Sequence, residues 1–320
     1  RRRGGYSMDP SETELTLAAK LIRAGRLVAF PTETVYGLGA NALDEAAVQR
    51  IYEAKGRPAT SPLIVHVAHV IMARQVTAEW PSLAQKLAER FWPGPLTLVL
   101  PKAEQIPDIV TAGLDTVGVR IPKHPVALRL IRRARVPIAA PSANRFTQIS
   151  PTTAEHVRTG LGSAVDLILD GGATHVGIES TVVSLAEEHP TILRLGMISE
   201  ADLEAATGVA WRVQDSARVQ QAVTEGTLPG FAAPGMHSRH YAPRTPLVLL
   251  KEGQPEPKGR GRVIEMPSEP AAYAVRLYAA LHEADAEGWD WIALREPPVS
   301  DEWAGIRDRL KRAATERFEE

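Results

Sequence analysis

The chain has 320 residues, 44% hydrophobic and 23% charged, which excludes a disordered tail, a collagen-like rod and a coiled coil. Lys and Arg number 37 against 38 Asp and Glu, so the net charge is −1 and a globally basic nucleic-acid binder is disfavoured. There is no cysteine, which removes disulfides, thiolate zinc sites and cysteine nucleophiles.

No apolar run reaches the ~18 residues that a membrane span needs. No apolar core follows Arg1–Arg3, so a cytoplasmic protein without a signal peptide is expected. Met8 is a candidate start, with residues 1–7 an upstream extension. Ser11-Glu12-Thr13-Glu14 has the form of a capping box, and Leu15, Ala18, Ala19 and Ile22 keep helical spacing up to Gly25. Leu27–Phe30 is a short apolar strand that Pro31 ends, feeding a loop. Asp44 caps a second helix running to about Ala54. Strands follow at Leu63–Val67, Leu96–Leu100, Val117–Ile121 and Pro137–Ala140. Helices are expected at Ser82–Phe91, Val126–Arg135 and residues 153–160. Three further strands, Val165–Leu169, Thr181–Leu185 and Thr191–Leu195, precede a helix that Ser199 caps and that reaches about Thr207. This irregular alternation predicts an α/β fold with a mixed sheet and helices packed on it.

Residues 208–243 are poor in apolar runs and carry Pro229-Gly230 and Pro234-Gly235, so they read as a linker. Beyond them the alternation resumes: strands Leu247–Leu250 and Arg262–Met266, helix Glu269–Ala284, strand Trp291–Leu294 and helix Asp301–Thr315. That predicts a small parallel α/β domain over 244–320. The expected organisation is thus an extension (1–10), a large domain (11–207), the linker and the small domain.

Gly37-Leu38-Gly39-Ala40-Asn41-Ala42 fits G-x-G-x-x-A, but Pro31 to Tyr36 separate it from the strand where a dinucleotide fingerprint needs a tight turn. His66-x-x-His69 and His237-x-x-His240 have metal-pair spacing without an evident third ligand, so hydrogen-bonded or solvated histidines are the simpler reading. More informative are polar loops at strand ends. They are Pro31–Gly39, Lys55-Gly56-Arg57-Pro58 with Ser61, Arg120, Pro141-Ser142-Ala143-Asn144, Glu179-Ser180-Thr181 and Arg194. Cations there neutralise phosphate or carboxylate, and hydroxyls add directional bonds. The stretch Gly118–Arg145 carries seven cations (Arg120, Lys123, Arg129, Arg132, Arg133, Arg135, Arg145) and no acid. It reads equally as a solvated helix face or as a surface for a phosphate-rich partner.

Six motifs in order resemble the YrdC-type threonylcarbamoyl-AMP synthases. They are Pro31-Thr32-Glu33-Thr34-Val35-Tyr36-Gly37-Leu38, Lys55-Gly56-Arg57-Pro58 with Ser61-Pro62-Leu63, Pro93-Gly94-Pro95-Leu96-Thr97, Val119-Arg120-Ile121-Pro122, Pro141-Ser142-Ala143-Asn144 and Glu179-Ser180-Thr181-Val182. Ala233–Pro243 resembles the linker of the longer, two-domain branch, and Asp308–Ala314 the end of its second domain. One departure is Gly305-Ile306-Arg307, where that branch usually has an Asn just before the Asp; on this reading it concerns only the second domain's surface. The resemblance implies a YrdC-like mixed twisted sheet followed by a small Rossmann-like domain.

It also implies an enzyme that joins L-threonine, bicarbonate or CO2 and ATP into threonylcarbamoyl-adenylate, releasing pyrophosphate. Partner proteins would then transfer the group to tRNA. Thr34, His66, Arg120, Ala140 and Ser180 are implied for threonine. Lys55, Arg57, Ser61, Thr116, Ser142, Asn144, Ser150, Arg194 and Tyr241 are implied for ATP, with Lys55 and Arg57 as the catalytic cations. Magnesium is expected on the triphosphate, with no protein metal site. The linker is expected to fold over the site mouth, bringing Met236, His240 and Tyr241. The alternative is a module of the same fold that binds double-stranded RNA or tRNA without chemistry.

Overall fold

Ser11 Oγ accepts from Glu14 N at 3.2 Å while Ser11 N donates to Glu14 Oε2 at 2.8 Å, so the expected capping box opens α1 (Glu12–Arg23). The computed structural model describes residues 9–58, 60–214, 233–235 and 240–315. Met8, Met236 and His237 lie outside these residues, as does most of the expected linker.

Strand β1 (Val28–Pro31) does not feed a long loop. The chain turns back at once into β2 (Tyr36–Asn41), antiparallel to it with Val28 opposite Gly39. The glycines of the G-x-G pattern therefore sit in a strand. A Cβ on Gly39 would lie 2.7 Å from the Phe30 ring and 2.9 Å from Ile138 Cγ2. Close packing, not a phosphate turn, requires that glycine.

The large domain continues through α2 (Glu45–Lys55), β3 (Ile64–His66), α3 (Val70–Val76), α4 (Ser82–Phe91), β4 (Leu96–Pro101) and β5 (Thr116–Arg120). It then runs through α5 (Pro125–Ala134), β6 (Ile138–Ala139), α6 (Ala154–Leu161), β7 (Leu167–Ile168), β8 (Thr181–Ser184), β9 (Thr191–Arg194), α7 (Glu200–Thr207) and β10 (Arg212–Val213). Ten strands form one mixed sheet in the order β10-β9-β8-β4-β5-β3-β6-β2-β1-β7. Two of these elements differ from the sequence pattern. Helix α3 is capped by His69, whose Nδ1 accepts from Met72 N, so that histidine is a helix cap. Strand β10 extends the sheet beyond Thr207 because Trp211, 6% exposed, packs on the Leu96–Leu100 side of the core.

The basic helix α5 lies on α1. Arg129 and Arg133 both pair with Glu12, and Arg133 also donates to Thr16 Oγ1 at 2.5 Å. With Arg120, which pairs with Glu33, at least three of the seven expected surface cations thus bind the protein itself.

The small domain is β11 (Leu247–Leu250), β12 (Gly261–Val263), α8 (Pro270–Ala286), β13 (Trp291–Arg295) and α9 (Ala304–Ala313), with parallel order β11-β13-β12. Its core is shared with the large domain. Val35, Ile149, Ile178 and Tyr241 pack with Leu277, Tyr278, Ile306 and Leu310. The register that matters for function is central: His66 on β3 is the Cα partner of Arg120 on β5, with β6 on the other side of β3.

Candidate functional site

Because β3 and β5 are parallel neighbours, His66 and Arg120 end together at one edge of the sheet. The β1–β2 turn passes over them. Arg120 Nη2 meets Glu33 Oε1 at 2.5 Å, its Nη1 donates to Thr34 Oγ1 at 3.0 Å, and its Nε donates to Gly94 O at 3.1 Å. Both side chains of the ion pair are buried, at 4% and 6% exposure, so neither charge is screened by bulk water. Glu33 Oε2 also accepts from Lys123 N at 2.9 Å. Glu33 therefore orients the guanidinium, and three of its five N–H groups have partners among the described residues. His66 is buried, and burial together with Arg120 pushes its pKa down to about 3, so its ring is neutral at ordinary pH.

Thr34, His66 and Arg120 line a cavity with Thr32, Gly37, Arg57, Ala140, Pro141, Ser142, Glu179, Ser180, Arg194, Pro234, Gly235, His240 and Tyr241. Its volume is about 50 Å3. Arg57 is aimed by Ser61: Nη2 donates to Ser61 Oγ at 2.6 Å and to Pro62 O at 2.8 Å. Burial lowers the Arg57 pKa to about 10, which leaves it cationic at neutral pH. Arg194 reaches from β9 to Ser180, bonding its carbonyl at 3.1 Å and its Oγ at 3.2 Å, and donates to Pro234 O at 2.9 Å. Thr97 shares a 2.8 Å hydroxyl contact with Ser180. Tyr241 is held at φ 61° with its hydroxyl buried and unbonded among the described residues. A Cβ on Gly235 would lie 2.1 Å from that hydroxyl, so the Pro234-Gly235 turn and Tyr241 close against each other.

All five residues implied for threonine line this one cavity, as do Arg57, Ser142, Arg194 and Tyr241 from the ATP set. The others stand apart from its lining. Lys55 lies behind the Ser142–Asn144 loop, its Nζ donating to the carbonyls of Ser142 and Asn144 at 2.5 Å each. Burial drives its pKa well down. Ser61 acts through Arg57. Ser150 is buried and donates to Glu179 Oε1 at 2.5 Å. Thr116 lines a separate space of about 10 Å3 beside Thr97 and Gly118. Asn144 lines a neighbouring groove of about 470 Å3 between α6 and α8. Sequence reasoning missed the two acids, Glu33 and Glu179. The signal available was a carboxylate inside each of two motifs otherwise rich in hydroxyls.

With that geometry in place, the comparisons are specific. The family model described as Telomere recombination, that of the Sua5, YciO and YrdC proteins, matches residues 20–196. A second, described as Threonylcarbamoyl-AMP synthase, C-terminal domain, matches residues 198–315. The chain belongs to the Sua5/YciO/YrdC family. The threonylcarbamoyl-AMP synthase of Pyrococcus abyssi is 49% identical over 80% of this chain and 72% of its own. That of Bacillus subtilis is 40% identical over 96% of this chain and 94% of its own. The crystal structure of Pyrococcus abyssi Sua5 complexed with L-threonine superposes with a TM-score of 0.86 at 40% identity, covering 95% of each chain.

Proposed function

We infer that this chain is a threonylcarbamoyl-AMP synthase, which makes L-threonylcarbamoyl-adenylate and pyrophosphate from L-threonine, bicarbonate or CO2, and ATP. The observation that carries the reading is the convergence of Arg120, Thr34, Ser180, Arg57 and Arg194 in one cavity, alongside close relatives bearing that name. The threonine amine attacks the carbon of CO2 and loses a proton, or that of bicarbonate with loss of water, to give a carbamate. A carbamate oxygen then attacks the α-phosphorus, and pyrophosphate leaves. Neither step takes a nucleophile from the protein, so the side chains act by placing reactants and stabilising charge.

In this reading Arg120 takes the threonine carboxylate with the N–H groups that Glu33, Thr34 and Gly94 leave over. Thr34 and Ser180 face its polar groups. Arg57 and Arg194 neutralise the phosphates. Lys55 is a positioning residue, fixing the loop that presents Ser142. Magnesium belongs with the triphosphate. No three His, Asp or Glu side chains gather among the described residues, and the cavity's charged donors are mostly cationic, a set that suits phosphate oxygens rather than a metal ion. A space of about 50 Å3 holds a few waters but not a nucleotide. In this reading Pro234-Gly235 and His240-Tyr241 shift to admit ATP and then cover a product that water would hydrolyse. As the resemblance implies, partner proteins then transfer the threonylcarbamoyl group to tRNA. Among the described residues no helix is long and apolar enough to cross a membrane. The test is pyrophosphate release from ATP by the full chain, with threonine and bicarbonate each omitted in turn. Release that ignores both omissions refutes the reading.

A further inference from the structure

The small domain reaches Glu179, which lines this cavity, with a buried guanidinium. Arg309 on α9 is 0% exposed. Its Nε donates to Glu179 Oε2 at 2.8 Å and its Nη2 to the Glu179 carbonyl at 3.2 Å. Its Nη1 donates to Leu195 O at 2.7 Å. Glu179 directly precedes Ser180, and Leu195 directly follows Arg194. Arg309 thus ties the start of β8 to the end of β9, the two strands whose termini present Ser180 and Arg194 to the cavity. Its Cζ also lies 5.2 Å from the centre of the Tyr241 ring, within cation–π range.

Two independent features support this tie. Tyr278 on α8 donates its hydroxyl to the same Glu179 Oε2 at 2.9 Å, so the carboxylate takes two donors from the small domain and one from Ser150. Helix α9 is admitted to this depth by a glycine pair: a Cβ on Gly305 would stand 2.4 Å from Gly196 O. The departure itself, Arg307 where the branch usually has an Asn, is half-buried and donates Nη1 to Pro297 O at 2.6 Å within the small domain. Burial raises the Glu179 pKa, but Arg309, Arg194 and the Ser150 hydroxyl outweigh it, so the carboxylate is held ionised at neutral pH.

We propose that Arg309 and Tyr278 of the small domain are positioning residues of the adenylate-forming site, acting through Glu179 and the Leu195 carbonyl to set the placement of Ser180 and Arg194. This rests on the synthase reading above. A bond to a strand end fixes geometry that the reactants experience directly, and a misplacement of about 1 Å can cost on the order of 100-fold in rate.

The experiment uses the full chain with Arg309→Met, Arg309→Lys, Tyr278→Phe, Glu179→Gln and the Arg309→Met/Glu179→Gln double variant. Each is assayed for pyrophosphate release at a temperature well below its own unfolding midpoint. Arg309→Met should lower kcat by about 100-fold and raise the threonine KM. Arg309→Lys keeps the charge beside Glu179 but cannot also reach both carbonyls, so it should recover kcat only in part. Tyr278→Phe should cost about tenfold, the loss of one hydrogen bond to a charged group. If Arg309 acts through Glu179, the double variant should lose far less than the product of the single losses. Wild-type kcat and KM in folded Arg309→Lys and Tyr278→Phe, or multiplicative losses in the double variant, would overturn the proposal. Should Arg309→Met fail to fold, the lysine and phenylalanine variants still decide it. Should the wild-type chain lack threonine-dependent release, the synthase reading fails instead. Hydrogen exchange at residues 178–196 then decides the tie: protection lost selectively in Arg309→Lys supports it, and unchanged protection refutes it.

Discussion

Replacing Arg120 with lysine removes a fork while keeping a charge, and the structure says which contacts go. The guanidinium serves Glu33, Thr34 and Gly94 through three separate nitrogens. A lysine ammonium reaching this depth can stay paired with Glu33, so the buried carboxylate is not abandoned and the fold should survive. It cannot also present two parallel N–H groups to a substrate carboxylate. The loss is then one or two charged hydrogen bonds to threonine, each worth ~1.5–3 kcal/mol. One such bond corresponds to a rise of roughly tenfold to a hundredfold or more in the threonine KM. Arg57 and Arg194 are untouched, so the ATP KM should change less than about threefold, within the variation of neutral surface substitutions. The assay is the initial rate of pyrophosphate release, varying threonine at saturating ATP and then the reverse. Equal changes in the two constants, or a change confined to ATP, would refute the assignment of Arg120 to the amino acid.

Four further expectations follow from the same geometry. Arg57→Ala should weaken ATP binding by ~1.5–3 kcal/mol, read by calorimetry; unchanged affinity removes Arg57 from the nucleotide site. Serine lacks only a methyl, a difference worth ~1–3 kcal/mol in a pocket, whereas valine lacks the hydroxyl; valine should therefore be the poorer substrate, and ready valine turnover sinks the pocket assignment. His66 has a folded pKa of about 3 against an ordinary 6.5, so above pH 6.5 it is neutral in both states, and below it the unfolded chain takes the proton first. Stability from this group is then lost as pH falls, by ~1.4 kcal/mol per unit or about 2 kcal/mol at pH 5; urea unfolding at pH 7 and pH 5 should show a smaller acid loss in His66→Gln than in wild type. Truncation should be made after Gln214, not Thr207, because Trp211 and β10 belong to the sheet; the remaining domain should fold but yield less intact adenylate per pyrophosphate, and undiminished yield would show that the small domain is dispensable.

Local chemistry made much of the fold legible. Ser11, Asp44 and Ser199 each cap a helix where a short polar side chain precedes an amphipathic run. What escaped was short or held by distant partners. Strand β2 carries Gly37 and Gly39, residues that sequence patterns assign to loops, and distant neighbours explain them: Phe30 and Ile138 crowd Gly39, and Ala140 and Phe30 lie against Gly37. Helix α3 spans seven residues, too short for a periodic signal, and its cap is a histidine. Strand β10 has two residues and depends on β9 for its partner.

The site divides along the same line. Arg120, Thr34 and Ser180 stand in motifs at strand ends, and their side chains line the cavity there. Lys55 and Ser150 stand in similar motifs, yet their polar atoms turn toward the protein, to the Ser142 and Asn144 carbonyls and to Glu179. Sequence position alone does not separate these cases, because a buried cation or hydroxyl satisfies its hydrogen bonds equally well in a loop or on a ligand. The carboxylates make the difference. Glu33 lies 87 residues from Arg120, and Glu179 lies 130 residues from Arg309. Each fixes an arginine that would otherwise have many rotamers, so the geometry offered to a ligand is set before the ligand arrives. A buried ion pair contributes little net stability once desolvation is counted. Two of them beside one cavity are therefore better explained by orientation than by folding energy, which is why removing both charges in the Arg309→Met/Glu179→Gln double variant should alter kinetic constants more than the unfolding midpoint, whereas Glu179→Gln alone leaves Arg309 buried without that partner charge.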